Sequence, residues 1–358
     1  MLTIVSLYVI LAVASLVACL SLNRSDKNLD MRIYYAVMFV LLLFFAAFRN
    51  GELLPDYDNY QEYFRIKAEL PYVEPSFYTI RSIARFLSFD GDGEYMMFFI
   101  YALLGISLKY YAILKYSPYA TFSICIWISS MFILHDMIQM RASVASGILL
   151  ILIPILYQRK LAVAIILMVI AFCFHNSAMF FVILLFLNPH KIDKRFWAAC
   201  YVAVVVMNLT KFSFANFMPT VTQFLPDMFK GRMANYMYAV EHGDIHSVSM
   251  YAPYIMYQTL VCFTTMCFAE KLKAIAPYSI ILIKTAFIGV FIYGLSVPGV
   301  SMRVAELFST SLILLTPMLI NCMSLRYRKL AGGGIVLLLA FVNLTNFIFL
   351  KKFILALP

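Results

Sequence analysis

A chain of 358 residues that is 63% hydrophobic and only 13% charged carries more apolar surface than water tolerates, which excludes an ordinary soluble domain. It is read as an all-α, polytopic integral membrane protein. The formal charge of +10 would point to nucleic acid in a soluble protein; here the basic residues sit in short links between apolar runs, where they report orientation.

A helix needs about 20 apolar residues to cross the hydrocarbon core. Runs near that length occupy 2–22, 33–48, 94–114, 119–134, 138–157, 161–174, 177–188, 196–211, 252–269, 276–296, 303–323 and 332–350. This predicts about twelve transmembrane or re-entrant helices, three of them short. The segment Leu16-Val17-Ala18-Cys19 imitates a lipoprotein cleavage box, yet no basic region precedes it and Arg24 and Lys27 follow, so the first run is expected to stay uncleaved. The seven cysteines fall inside apolar runs without metal-ligand spacing.

Basic residues follow every odd-numbered run: Arg24, Lys27 and Arg32; Lys109 and Lys115; Arg159 and Lys160; Lys191, Lys194 and Arg195; Lys271 and Lys273; Arg326, Arg328 and Lys329. Those links are therefore expected in the cytoplasm. The N-terminus and two long polar segments, 49–93 and 212–251, then lie outside. Lys351 and Lys352 in the tail disagree with the alternation. The pattern also requires a break at Phe174-His175-Asn176-Ser177, because one helix through that stretch would overshoot the bilayer. With no internal repeat or low-complexity linker, 1–358 reads as one membrane domain.

Within the first loop, Phe77, Ile80, Ala84 and Leu87 recur at helical spacing among arginines, which predicts an interfacial helix over 75–88 with its apolar face in lipid. The second loop carries Phe212, Phe214, Phe217, Phe224 and Phe229 and is expected to rest on the membrane.

Charges at helix ends or inside apolar runs need a partner or a task. On this topology Arg49, His135, Asp136, Arg141, His175 and Arg303 gather at the outer leaflet. A guanidinium is permanently charged and forked, so Arg49, Arg141 and Arg303 suit a diphosphate; each alone also suits a head-group anchor. His175 is a candidate proton acceptor near neutral pH, or a structural residue bonding free carbonyls at a helix end. Asp56, Tyr57, Asp58 and Tyr60 combine rings and carboxylates as sugar binding does, or form a Pro-Asp turn with Asp56 as N-cap. Arg303 and Glu306 share a helical face. Lys284, deep in its run, pairs with Glu306 or with a carbonyl. No second acid stands beside His175 in the sequence.

Three stretches carry a family resemblance: Phe48-Arg49-Asn50-Gly51 with Asp56-Tyr57-Asp58-Asn59-Tyr60, Gln139-Met140-Arg141-Ala142-Ser143, and Phe174-His175-Asn176-Ser177-Ala178. Met302-Arg303-Val304 adds a weaker fourth. In these the chain resembles the EpsG-type family of bacterial polysaccharide polymerases, relatives of the Wzy O-antigen polymerases; its insert between Gly51 and Asp56 is longer than the family's. The resemblance implies a glycosyltransferase of the bacterial inner membrane working on the periplasmic side. It would move a growing glycan from undecaprenyl diphosphate to the non-reducing end of a lipid-linked repeat unit, alongside a chain-length regulator and a flippase. His175 or Asp56 would take the proton, Arg49, Arg141 and Arg303 would hold the diphosphate, and Tyr57, Asp58, Tyr60 and Gln139 would face sugar. No cofactor, metal or nucleic acid is implied. An O-antigen ligase or a lipid-linked oligosaccharide flippase is the alternative.

Overall fold

The computed structural model describes residues 2–21, 28–49, 54, 56–66, 68, 70, 73–88, 93–210, 212, 250–295, 300–324 and 326–350. Arg24 and Lys27, most of the second loop with Phe214, Phe217, Phe224 and Phe229, and the tail lysines Lys351 and Lys352 lie outside them. All regular structure among the described residues is helical.

In chain order the α-helices are α1 Leu2–Ser21, α2 Leu29–Ala47, α3 Tyr57–Arg65, α4 Pro75–Leu87, α5 Glu94–Tyr116 and α6 Ala120–Ser130. After a π-helical segment, Phe132–Ile138, come α7 Met140–Tyr157 and α8 Leu161–Phe174. A 3-10 helix, Asn176–Phe186, leads to α9 Lys194–Leu209, α10 Pro253–Cys267, α11 Ala269–Ile275, α12 Ser279–Gly294 and α13 Val300–Ser309. The last part holds α14 Leu312–Leu315, α15 Leu319–Cys322 and α16 Gly333–Leu350. Local chemistry explains several of these starts. Pro75 and Pro253 occupy first-turn positions, where the missing N–H costs nothing. The Asp193 carboxylate caps α9 by accepting from the amides of Arg195 and Phe196 at 3.0 and 3.1 Å.

Among the described residues four stretches are long and apolar enough to cross a bilayer: Leu29–Ala47, Glu94–Tyr116, Met140–Tyr157 and Ser301–Cys322. Ala120–Ser130 with Phe132–Ile138 makes a fifth across a 67° bend. The other apolar helices, such as Leu161–Phe174 and Ser279–Gly294, have 10–17 residues. A helical membrane protein follows, with four or five stretches of full spanning length among the described residues. The expected break at His175 is present: its backbone is extended, ending α8 and starting the 3-10 helix.

The bundle is inside out relative to a soluble domain on its perimeter only. Leu16, Val40, Ile166 and Leu338 are each about 60% exposed, as lipid-facing side chains are, whereas Trp127, Phe132, Phe287 and Phe308 are completely buried. Near the centre α5 and α7 approach closely. A Cβ added at Gly105 would stand 1.9 Å from Ser143 Oγ, and one at Gly147 would stand 2.7 Å from Leu108 Cβ. Small residues permit such backbone proximity where lipid supplies no hydrophobic drive for association.

Helix α4 departs from its expected setting. Phe77, Ile80 and Ala84, the stripe assigned to lipid, are buried against protein, and Phe77 meets the rings of Tyr60, Tyr63 and Tyr101. Leu87, the fourth residue of that stripe, is 44% exposed, and Phe86 beside it is 87% exposed. The reason for the burial is Arg81, which donates to the carbonyls of Tyr63 and Ile66 and so ties α4 to α3 through its buried face.

Replacing Gly105 with valine is expected to wedge α5 from α7 at a cost of about 1–3 kcal/mol. The check is a lowered thermal midpoint of the detergent-purified protein, with Gly334→Val, at a position with nothing within 4 Å, as the neutral control.

Candidate functional site

The site begins at Glu74, which stands at the N-cap position of α4 just before Pro75 and is 1% exposed. Its carboxylate does not cap its own helix. Oε2 instead accepts from Arg141 Nη1 at the start of α7, and Oε1 accepts from the backbone N–H of Asn176 at 3.2 Å. His175 Nδ1 lies 3.7 Å from the same Oε1, within ion-pair range and just beyond hydrogen-bond length. One buried acid therefore joins the first loop, α7 and the break after α8. A carboxylate in this environment would be costly unpaired; the permanent charge of arginine and a backbone donor compensate it.

This corrects the expectation that no acid accompanies His175. Glu74 was one of eight acids in the first loop, without a pattern to single it out. Its place immediately before a helix-starting proline is the one local signal.

Tyr60 sits between the arginines. The Arg141 guanidinium lies over its ring at 5.3 Å, and Tyr60 is 4% exposed. Burial pushes its phenol up from the ordinary range, with Arg141 opposing, so the hydroxyl stays protonated. Tyr57 stacks on Phe98 at 4.8 Å and 13°, and the Arg49 guanidinium lies over that same ring at 4.4 Å. Such contacts contribute about 1 kcal/mol each when desolvated.

Arg49 is held from within. Nη1 donates to the Asp136 carbonyl at 3.0 Å and Nη2 to Met140 Sδ at 3.4 Å. That carbonyl belongs to the π-helical segment, which follows α6 across a 67° bend and leads into α7. The Asp136 side chain faces the other way, into the core. Oδ1 takes Lys109 Nζ at 2.7 Å and the Ser143 hydroxyl; Oδ2 takes Trp127 Nε1 at 2.8 Å. Lys109 also donates to Ser143 O at 3.1 Å, and both charged side chains are 0% exposed.

One expectation changes here. Lys109 is not a residue of a cytoplasmic link: it lies inside α5, about 10 Å short of the helix end by helical rise, and neutralises Asp136. His135 and Asp136 are buried within the protein, at 0% and 1% exposure.

The remaining residues divide. Gln139 Nε2 donates to Glu306 Oε2 at 3.3 Å, which brings the helix carrying Arg303 against the start of α7. Arg303 itself is half-buried, and Asp58 is exposed. Asp56 does occupy the N-cap position of α3, but with a left-handed φ of 69° and no capping hydrogen bond from its side chain. Asp, like Asn, adopts that conformation at modest cost. Asn59 Nδ2 reaches its Oδ1 at 3.5 Å. Lys284 donates to the Asn188 carbonyl at 2.7 Å, the carbonyl option of the two expected.

Arginines, a glutamate and a histidine from separate segments thus converge near one end of an apolar helical bundle, which defines a membrane protein with a buried, cation-rich polar cluster. The EpsG family model matches residues 32–356, and the chain belongs to that family. No curated protein and no solved structure matches it.

Removing one partner of the Lys109–Asp136 pair is expected to cost about 3–5 kcal/mol, because it strands a buried charge. Lys109→Met should therefore yield aggregated protein by size-exclusion chromatography. Lys109→Met with Asp136→Leu should recover a larger monodisperse fraction than the single variant.

Proposed function

We propose that the chain is a membrane-embedded glycosyltransferase that polymerises a lipid-linked glycan on the periplasmic face of the bacterial inner membrane. It moves the growing chain from undecaprenyl diphosphate to the non-reducing-end sugar of a newly delivered lipid-linked repeat unit. The observation carrying this reading is the meeting of Arg141 and His175 on one buried carboxylate, with Arg49 held over the Phe98 ring and Arg141 over that of Tyr60, in a chain of the EpsG family.

The chemistry is one displacement. The acceptor hydroxyl oxygen bonds to the anomeric carbon as the bond from that carbon to the diphosphate oxygen breaks. The hydroxyl proton passes to His175, with Asp56 the second candidate, and undecaprenyl diphosphate departs with the bonding pair. Arginines assist because negative charge grows on the diphosphate in the transition state, and in a dry site fixed cations stabilise it more than water can. Arg141 retains capacity for this role, since its Nε has no hydrogen-bond partner among the described residues. Arg303, on the helix docked by Gln139, completes the anion site. Tyr57, Asp58, Tyr60 and Gln139 form its sugar-facing side; Tyr57 already uses one ring face on Phe98. A flippase would need charges along a path across the bilayer, but Lys109 and Lys284 are each engaged locally. A flippase that delivers the lipid-linked units and a chain-length regulator are the partners proposed with this activity.

In a host lacking its own polymerase, wild-type protein should restore long glycans, while His175→Ala should leave single lipid-linked repeats, with turnover lower by about 10²–10⁴-fold. Gel analysis of extracted lipid-linked glycans reads this. Full-length unattached chains in the deletion strain would indicate a ligase instead, and inward-facing single units a flippase. Arg141→Lys should fail to restore long chains despite its charge, because an ammonium cannot reproduce the forked contacts.

A further inference from the structure

Three neutral hydrogen-bonding groups stand around Glu74 without being used by the fold. Asn176, 5% exposed, gives its backbone N–H to the glutamate Oε1 at 3.2 Å, while its side-chain Nδ2 is buried and has no hydrogen-bond partner among the described residues. Tyr101, on α5, is completely buried, and Ser76 follows Pro75 in the first turn of α4. Their hydroxyls are neighbours that share no hydrogen bond of good geometry, and neither has another hydrogen-bond partner among the described residues. We propose that Asn176, Tyr101 and Ser76 bind hydroxyls of the sugar that accepts the growing chain, next to the hydroxyl that reacts. This rests on the polymerase reading above and adds to it the residues that recognise the acceptor.

A buried polar group left unpaired costs the fold free energy that an apolar side chain of the same shape would not, so three of them around one carboxylate point to a ligand that pairs them. Each is positioned by something other than its own polar atom. The Asn176 backbone is fixed to Glu74, which presents the side-chain amide from the break after α8. The Tyr101 ring lies edge-on to Phe174 at 6.3 Å and 88° and stacks on Phe77 at 6.4 Å and 29°. Ser76 is held by the turn that Pro75 starts.

The two oxygens of Glu74 separate two kinds of ligand chemistry. Arg141 lies at Oε2, the cationic side that suits a diphosphate. Asn176 and His175 lie at Oε1. On that side an amide and two hydroxyls carry no permanent charge to offset a phosphate. A sugar hydroxyl, which both donates and accepts, matches them: it accepts from the amide and exchanges hydrogen bonds with Tyr101 and Ser76.

The place also fits the chemistry. Phe174, which the Tyr101 ring meets, immediately precedes His175, and Asn176 immediately follows it. A sugar whose neighbouring hydroxyls are held here brings its reacting hydroxyl to the group assigned as proton acceptor. A sugar that lacks those hydroxyls leaves buried donors unpaired and is rejected more strongly than shape alone would reject it. The three residues therefore set which non-reducing-end sugar is extended.

The test uses the full chain in nanodiscs, with single lipid-linked repeat units extracted from a polymerase-deficient strain as substrate and undecaprenyl diphosphate as an inhibitor that reports the donor side. Tyr101→Phe deletes one hydroxyl; Asn176→Leu deletes one side-chain amide and keeps the backbone N–H on Glu74. Each should lower kcat/KM for chain extension by about tenfold while inhibition by undecaprenyl diphosphate stays as in wild type. The thermal midpoint of Tyr101→Phe should be unchanged or raised, because the hydroxyl removed pairs with nothing in the fold. Ser76→Ala gives the same readout if the asparagine variant fails to fold. Unchanged kcat/KM in these variants, or a loss in Tyr101→Phe that comes with a lowered midpoint, overturns the acceptor assignment and leaves the polymerase reading intact. A loss matched by equally weakened inhibition does the same, since the groups would then serve the diphosphate. No extension by wild type overturns the polymerase reading and the assignment with it.

Discussion

Within an apolar bundle, a carboxylate at 1% exposure is the constraint around which the other parts of the site are arranged. Glu74 must be compensated, and each compensating donor comes from a different segment: Arg141 from α7, the Asn176 amide from the break after α8. In water such a contact contributes little. In a low-dielectric interior it is strongly conditional, since losing one partner exposes the other to the full cost of burial. The glutamate therefore acts less as a source of net stability than as a condition on register, because the helices must meet in one arrangement for its charge to be tolerated.

The Lys109–Asp136 pair applies the same logic deeper in the bundle. Its carboxylate is satisfied by lysine, serine and tryptophan on three elements, and this fixes the π-helical turn from which the Asp136 carbonyl reaches Arg49. Close α5–α7 packing at Gly105 and Gly147 brings Ser143 into that network. A buried ionic clamp and an interrupted helix are thus two aspects of one device. It holds the start of α7 so that Gln139 meets Glu306 while Arg141 meets Glu74.

Much of this was legible in the sequence because charge is rare there. Arg49, Arg141 and His175 stood out against apolar runs, and the break at His175 followed from length together with the alternation of basic links. The resemblance carried by those motifs agrees with the family that the chain belongs to. Glu74 was not legible, because it sits among many loop acids and its burial is a tertiary fact. Lys109 misled for a physical reason: a lysine near the end of an apolar run looks like a topological anchor unless its counter-charge, 27 residues away, is known to be within reach. The stripe on α4 had helical period, but periodicity states only that a face is apolar and not whether lipid or protein covers it. Among the described residues four or five stretches have full spanning length, while the shorter apolar helices have 10–17 residues, a length at which hydropathy alone does not separate a crossing from a re-entrant segment.

The convergence on Glu74 is tested most directly by a double-mutant cycle between Glu74→Gln and Arg141→Gln, read as thermal stability of the detergent-purified protein. The account predicts strong coupling of about 1.5 kcal/mol or more, with the double variant less damaged than the sum of the single changes. Additive losses, within about 0.5 kcal/mol, would mean that the two side chains do not meet and would contradict the site as a whole.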